Sequence, residues 1–174
     1  RGEPQVRDTL ARWLGEPGTP PLARDPSGRP RLLAPHQDHD TGWSHSGEQL
    51  LLALGRGVTL GVDLERLRPR PRALELADRF FAPGEAGRLQ ALAPERRELA
   101  FLRLWCAKEA VLKAHGQGLS FGLHRLEFIP DGDDEHAPLR LLASDPELGA
   151  ASDWQLHEWI PAPGYLAALA WHPR

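Results

Sequence analysis

The sequence predicts an α+β chain in which one long helix packs on a largely antiparallel sheet. Three observations carry that expectation. A helical pattern begins after Pro94 and runs to about His115, with Leu99, Leu102, Trp105, Cys106 and Leu112 as its buried stripe and Gly116 as its stop. Beyond it the period changes, and residues 125–129, 138–143, 154–160 and 165–171 form strand-like runs separated by Pro, Gly and Asp turns. Ahead of it, two apolar runs at 49–54 and 58–64 flank Gly55-Arg56-Gly57, the pattern of two strands joined by a tight turn.

The remaining elements follow in order. Residues 6–15 suit a short helix, since Val6, Leu10, Trp13 and Leu14 recur at helical spacing and Gly15 can end it. GEPGTPPLARDPSGRP is too rich in Pro and Gly for regular structure, so 17–31 is expected to be a loop. A second loop, polar and rich in His and Asp, is expected at 35–42. RLRPRPR breaks the strand at 66–72, and helical patterns follow at 73–81 and, after Pro83, at 84–92. No internal repeat is visible.

Composition narrows the function classes. A length of 174 residues fits one domain, or two small halves sharing a core. Its 41% hydrophobic and 26% charged residues are those of an ordinary globular chain rather than a disordered one. The longest apolar run, 50–54, falls far short of a membrane span, and no secretory signal pattern opens the chain. Cys106 is the single cysteine, which rules out an intrachain disulfide and suits a reducing cytoplasm. A net charge of −3 argues against a general nucleic-acid binder. The chain has no Met and begins at Arg1, so residues upstream of this numbering are expected.

Four clusters could carry chemistry. GVDLE places Asp63 and Glu65 two residues apart, on one face of a strand. Such a pair either ligates a hard cation such as Mg²⁺, which takes one or two carboxylates and completes its shell with water and phosphate oxygens, or is a solvated strand end. LWCAKEAVLKAHGQGL holds the only two lysines in a chain with 21 Lys plus Arg. Glu109 and Lys113 share a helix face at i,i+4, while Lys108 projects about 100° away from Glu109. The lysines are either phosphate contacts, which suit a compact ammonium, or partners in ordinary surface pairs. Ser44, His45 and Ser46 in WSHSG form either an anion-holding loop or a Ser-His nucleophile pair without an evident third member. His36, Asp38, His39 and Asp40 superficially resemble metal ligands, but no regular element is expected to hold them, and a solvated loop is the better expectation.

Taken in order, SHSG, GVDLE, Arg79-Phe80-Phe81 and the string W-x-x-K-E-x-x-x-K-x-x-G-x-G-L resemble the 4′-phosphopantetheinyl transferase superfamily, in its larger, surfactin-synthetase-activating form. The resemblance spans 28–119, and YLAALA at 165–170 is similar to the family's final strand. It implies two similar α/β halves forming an intramolecular pseudo-dimer, 1–57 and 58–174, with coenzyme A bound between them and the first half incomplete at its start. It further implies transfer of the 4′-phosphopantetheine arm of coenzyme A to a serine of an apo acyl or peptidyl carrier protein by a monomer, with release of 3′,5′-ADP. Asp63, Glu65 and Glu109 would hold Mg²⁺ against the pyrophosphate. Lys108 and Lys113 would contact phosphates, His45 with Ser44 the 3′-phosphate, and Arg29 would lie beside the adenine. Glu109 or a metal-bound water would be the base, and Lys113 would assist transfer.

Three departures accompany the resemblance. Thr41-Gly42-Trp43 replaces the family's frequent Phe-Asn-Leu, removing the hydrogen bonds an asparagine side chain would make. Gly28-Arg29-Pro30 stands for the usual Gly-Lys-Pro. Basic residues for the 3′-phosphate fall upstream, or to Arg1 or Arg7. Arg66, Arg68, Arg70 and Arg72 form either a docking patch for an acidic carrier or a solvated Pro/Arg loop. Competing functions are a Mg²⁺-dependent phosphohydrolase using the same acids, and a degenerate member that binds coenzyme A or a carrier without transfer.

Overall fold

The computed structural model describes residues 2–174 and is organised around α4 (Pro94–His115), its longest helix. One face of α4 packs on β5 (Val58–Arg66) and β9 (Tyr165–Pro173), which pair antiparallel; β8 (Gln155–Trp159) extends that sheet in the order β5-β9-β8. Cys106, Ala110 and Ala114 meet these strands, and Leu102, Ala107 and Val111 are buried in the same core. Leu99, expected in this stripe, is 45% exposed; the stripe runs through residues three and four positions further on.

Close approach of helix and strand depends on Gly61. A Cβ there would stand 2.1 Å from the Ala110 carbonyl oxygen and 2.4 Å from the Ala114 nitrogen. The glycine of GVDLE is thus a spacer: it lets α4 lie against β5 and brings the helix face of Glu109 and Lys113 to Asp63. Two shorter helices, α2 (Ala73–Phe80) and α3 (Pro83–Ala91), cover another side of α4, and a hairpin of β6 (Leu126–Pro130) and β7 (Leu139–Ser144) follows it.

The N-terminal region is smaller: α1 (Glu3–Leu14), a hairpin of β1 (Leu22–Arg24) and β2 (Pro30–Leu32), and a longer hairpin of β3 (His39–Ser46) and β4 (Gln49–Arg56). Gly15 ends α1 with φ at 69°, where glycine is favoured. Residues 17–31 are therefore not all loop. The Asp25 carboxylate accepts from the backbone and hydroxyl of Ser27, from the Arg29 nitrogen and from Arg31 Nε, and this knot builds the β1–β2 turn. The 35–42 loop is also shorter than expected, since β3 begins at His39, and WSHS lies on a strand. His36 pairs with Glu16, and Asp38 with His39 and Arg56, while Asp40 is 1% exposed, so the His/Asp cluster is neither a metal site nor simply solvated.

β4 and β5 are consecutive through Gly57, but they do not pair; β4 pairs with β3 and β5 with β9. β3 instead runs beside β5 in the same direction, joined by side chains rather than a backbone ladder. Asp40 Oδ2 accepts from Leu60 N at 2.8 Å, Ser44 Oγ from Leu64 N at 3.2 Å, and Ser46 Oγ from Arg66 N at 3.2 Å. The constant offset places Gly42 opposite Val62, one position without a side-chain rung. Rungs on both sides hold β3 at Gly42, where the resemblance led to the expectation of an asparagine.

Candidate active site

β5 and α4 together build an acidic pocket with one partly exposed lysine. The strand presents Asp63, 4% exposed, and the helix presents Lys113, whose ammonium lies 2.6 Å from Asp63 Oδ1. Ser44 reaches in from β3, with its Oγ 3.1 Å from Lys113 Nζ and 3.4 Å from Asp63 Oδ1. The Cys106 thiol caps the Asp63 carbonyl from below at 3.5 Å. Lys113 therefore pairs with Asp63 and not with Glu109, the i,i+4 partner on its own helix.

Two carboxylate oxygens, Asp63 Oδ2 and Glu109 Oε1, are buried without a hydrogen-bond partner. Buried acceptors are almost always satisfied, so two in one site point to a missing group of opposite charge. Burial, reinforced by the Asp63 charge, raises the Glu109 carboxyl above its ordinary value, with Lys113 opposing. Burial and Asp63 push Glu65 up to about 7, against the pull of Arg70 and Lys113. Asp63 is thus the charge that both neighbouring acids respond to.

The donor set suits a hard cation. Its oxygens are carboxylate oxygens, two of them unpartnered, and Mg²⁺ prefers such ligands. Among the described residues, no three His, Cys, Asp or Glu are drawn together tightly enough to ligate one ion as they stand. Lys113 and Arg70, the latter 3.5 Å from Glu65, hold two of the acids instead.

Two clefts open beside the acids. One, of about 250 Å³, is lined by Arg29, Gly42, Trp43, Gly61, Lys113 and Gly116 among others. The other, of about 300 Å³, is lined by Trp43, Ser44, His45 and Lys113. Lys113 and Trp43 border both. His45 is exposed on β3, beside the buried Ser44, and offers its imidazole to the second cleft. Arg29 contributes to the first cleft, but its guanidinium is committed. It makes a two-pronged pair with buried Asp40 and donates to the Leu60 carbonyl at 2.6 Å and the Lys113 carbonyl at 3.2 Å. Arg29 therefore clamps β3, β5 and α4 together, and only the rest of the residue lines the cleft.

Lys108 requires a correction. The phosphate contact expected of it is not available, because its side chain is 0% exposed and turned to the opposite side of α4. Its ammonium lies 2.6 Å from Glu85 Oε1 and donates to the carbonyls of Leu123 and Leu126. Phe81 covers it with its ring centroid at 5.1 Å. Burial pulls the Lys108 ammonium down and pushes the Glu85 carboxyl up, each opposed by its partner. Glu85 also accepts from Ala82 N at 3.1 Å and Phe128 N at 2.9 Å, so the pair ties α3, α4 and β6 together.

Glu85, Asp40 and Arg70 matter to the site or its frame, and sequence pattern passed over the specific role of each. The one signal for Glu85 was indirect: a lysine in a helix that otherwise uses arginine needs a partner. Arg1 lies outside the described residues, and Arg7 is held by Glu3 at 2.9 Å on α1.

A strand pair of acids lies beside a helix Glu and Lys, next to a cleft bordered by Ser and His. The chain belongs to the 4′-phosphopantetheinyl transferase superfamily, whose family model matches residues 59–170 and so takes in Asp63, Glu65, Glu109 and Lys113. It is similar to the slr0495 protein of Synechocystis sp., with 40% identity over 134 residues covering 75% of this chain and 51% of that one. It is also similar to HetI, a 4′-phosphopantetheinyl transferase of Nostoc sp., with 33% identity covering 97% of this chain and 70% of HetI. Among solved structures, the holo-acyl-carrier-protein synthase of Thermotoga maritima superposes with a TM-score of 0.47 at 18% identity, over 67% of this chain and 64% of that one. The chain spans about half the length of the first of these relatives.

Proposed function

We propose that this chain transfers the 4′-phosphopantetheine arm of coenzyme A to a serine of an apo acyl or peptidyl carrier protein. The observation that carries the reading is the pair of unpartnered buried oxygens on Asp63 and Glu109, beside a lysine that borders two clefts. Asp63, Glu65 and Glu109 would hold Mg²⁺, which when bound neutralises charge on the pyrophosphate.

The chain's own groups do the rest. Lys113 is 35% exposed along its side chain, so its ammonium can leave Asp63 for a phosphate oxygen and stabilise charge that develops during transfer. Ser44 and His45 bind the 3′-phosphate from the neighbouring cleft. The proton of the carrier serine passes to Glu109 or to a water held beside the acids. The serine oxygen then forms a bond to the pantetheine-bearing phosphorus, the pyrophosphate P–O bond breaks, and 3′,5′-ADP leaves. Of the four arginines at 66–72, Arg66 and Arg68 are exposed and have no acidic side-chain partner among the described residues, so they present the positive face for an acidic carrier.

Intact-mass spectrometry of an apo acyl carrier protein incubated with this chain, coenzyme A and Mg²⁺ tests the proposal. A mass gain of one phosphopantetheine is expected, lost on chelation and in Glu109→Gln. No gain across several carriers, with coenzyme A still bound, would overturn transfer in favour of binding alone.

A further inference from the structure

The segment 66–72 is not a uniform basic patch. Arg66 and Arg68 are exposed, whereas Arg70 turns inward, 24% exposed along its side chain, with Nη2 3.5 Å from Glu65 Oε2. Its Nε is buried and has no partner. The residue sits between Pro69 and Pro71. Proline fixes its own φ, and a residue before proline is driven to extended backbone, so PRP presents the Arg70 side chain from a stiff platform. Such placement costs little ordering entropy compared with a flexible loop.

Two of the site's three acids are matched to internal cations: Asp63 to Lys113 at 2.6 Å, and Glu65 to Arg70 at 3.5 Å. Neither match is optimal. Asp63 keeps one free oxygen, and the Arg70 contact is an ion pair too long to be a hydrogen bond, with Nε left over. Three carboxylates without compensation would repel one another, yet a permanent, fully hydrogen-bonded pair would exclude any other ligand.

We propose that Arg70 is a resident counter-cation for Glu65, a positioning residue that holds this carboxylate until a divalent cation displaces it. The inference rests on the proposed metal site. Arg70 is not a ligand and touches no substrate. It keeps Glu65 aimed and the pocket near neutral, and it competes with the incoming ion. The long, imperfect contact keeps that competition weak.

Isothermal titration with Mn²⁺, alone and with coenzyme A present, on the wild-type chain and on Arg70→Gln and Arg70→Lys, decides the matter. Loss of a partly exposed ion pair should let Arg70→Gln bind Mn²⁺ about fivefold tighter, with Arg70→Lys near wild type. Thermal melts should show Arg70→Gln gaining more stability from Mn²⁺ than the wild type does. Unchanged affinity in Arg70→Gln, whatever its melting temperature, would make Arg70 merely structural and overturn the inference alone; weakened affinity would overturn it too. If the wild type binds no Mn²⁺ even with coenzyme A, the metal site and this inference fail together.

Discussion

Lys108 and Lys113 lie on the same helix, five residues apart, and their surroundings are opposite. Lys108 is sealed on the α3 side, where Glu85 and the carbonyls of Leu123 and Leu126 supply three acceptors for the three donors of an ammonium. Arginine, with five donors in a planar fork, would leave some of them unmet in that space. Lys113 lies on the β5 side with two partners, part of its side chain in solvent, and clefts on either side. There the useful property is mobility. One residue type is retained for two reasons, and the motif that unites the lysines hides the difference.

The largest expected effect separates them. Lys108→Ala leaves Glu85 buried and unpaired, and breaking one partner of such a pair costs about 3–5 kcal/mol. Chemical denaturation should show that loss. The double change Lys108→Met with Glu85→Leu should recover much of it, because apolar groups of similar volume can replace a buried pair. Lys113→Ala should cost only about 1 kcal/mol by the same measurement, since its ammonium is partly solvated, yet lower transfer about a hundredfold or more. Equal destabilisation by the two alanines would erase the contrast.

Next in size is Gly61→Ala, which attacks the contact between α4 and β5 on the Lys113 side. The added methyl meets backbone on α4 at 2.1 Å, and backbone cannot rotate aside. Overpacking of this kind costs about 3 kcal/mol, and the helix would move away from β5. Transfer should fall with stability, whereas the Lys108–Glu85 side, anchored to α3 and β6, should keep its amide-exchange protection in the folded molecules. Loss of protection on both sides at once would show that α4 responds as one rigid body.

Legibility in the sequence follows the same division. The α+β class, α4 and its Gly116 stop, and the run of strands after it were visible because periodicity and turn residues are local. The gathering of Asp63, Glu109, Lys113 and Ser44 was implied only by the resemblance; in the fold, Gly61 lets α4 lie against β5, and β3 brings Ser44 alongside. The β1–β2 hairpin was missed because Pro and Gly masked strands only three residues long, whose turn is built by the Asp25 carboxylate. The strand nature of Ser44–Ser46 was missed because its hydroxyls act as rungs to β5, a use of polar side chains that looks like loop composition. Lys108 was misplaced since i-to-i+5 spacing turns two residues to different helix faces, and the identity of its partner depended on tertiary contact with α3.

The smallest effect is one of pH, and it sharpens the description of the Lys113 side. Glu65 has a folded value of about 7 against an ordinary 4.5, because burial and Asp63 disfavour its charge. Folded protein therefore holds a proton on Glu65 that the unfolded chain releases from about pH 4.5 upward. Between those values the native state binds more protons, so stability falls as pH rises toward 7 and levels off above it. The full shift corresponds to about 3 kcal/mol, but the side chain is partly solvated and lies near Arg70, so a change on the order of 1 kcal/mol is expected. Glu109, raised for the same reasons, adds in the same direction. Thermal melts in chelator from pH 4.5 to 8 should show this decline in the wild type and a flatter profile in Glu65→Gln. Glu85, raised by burial, adds in the same direction, so the Lys108→Met, Glu85→Leu double variant should keep the part of the decline that Glu65 and Glu109 contribute. A wild-type profile parallel to that of Glu65→Gln would mean that Glu65 is already fully compensated by Arg70 and Lys113.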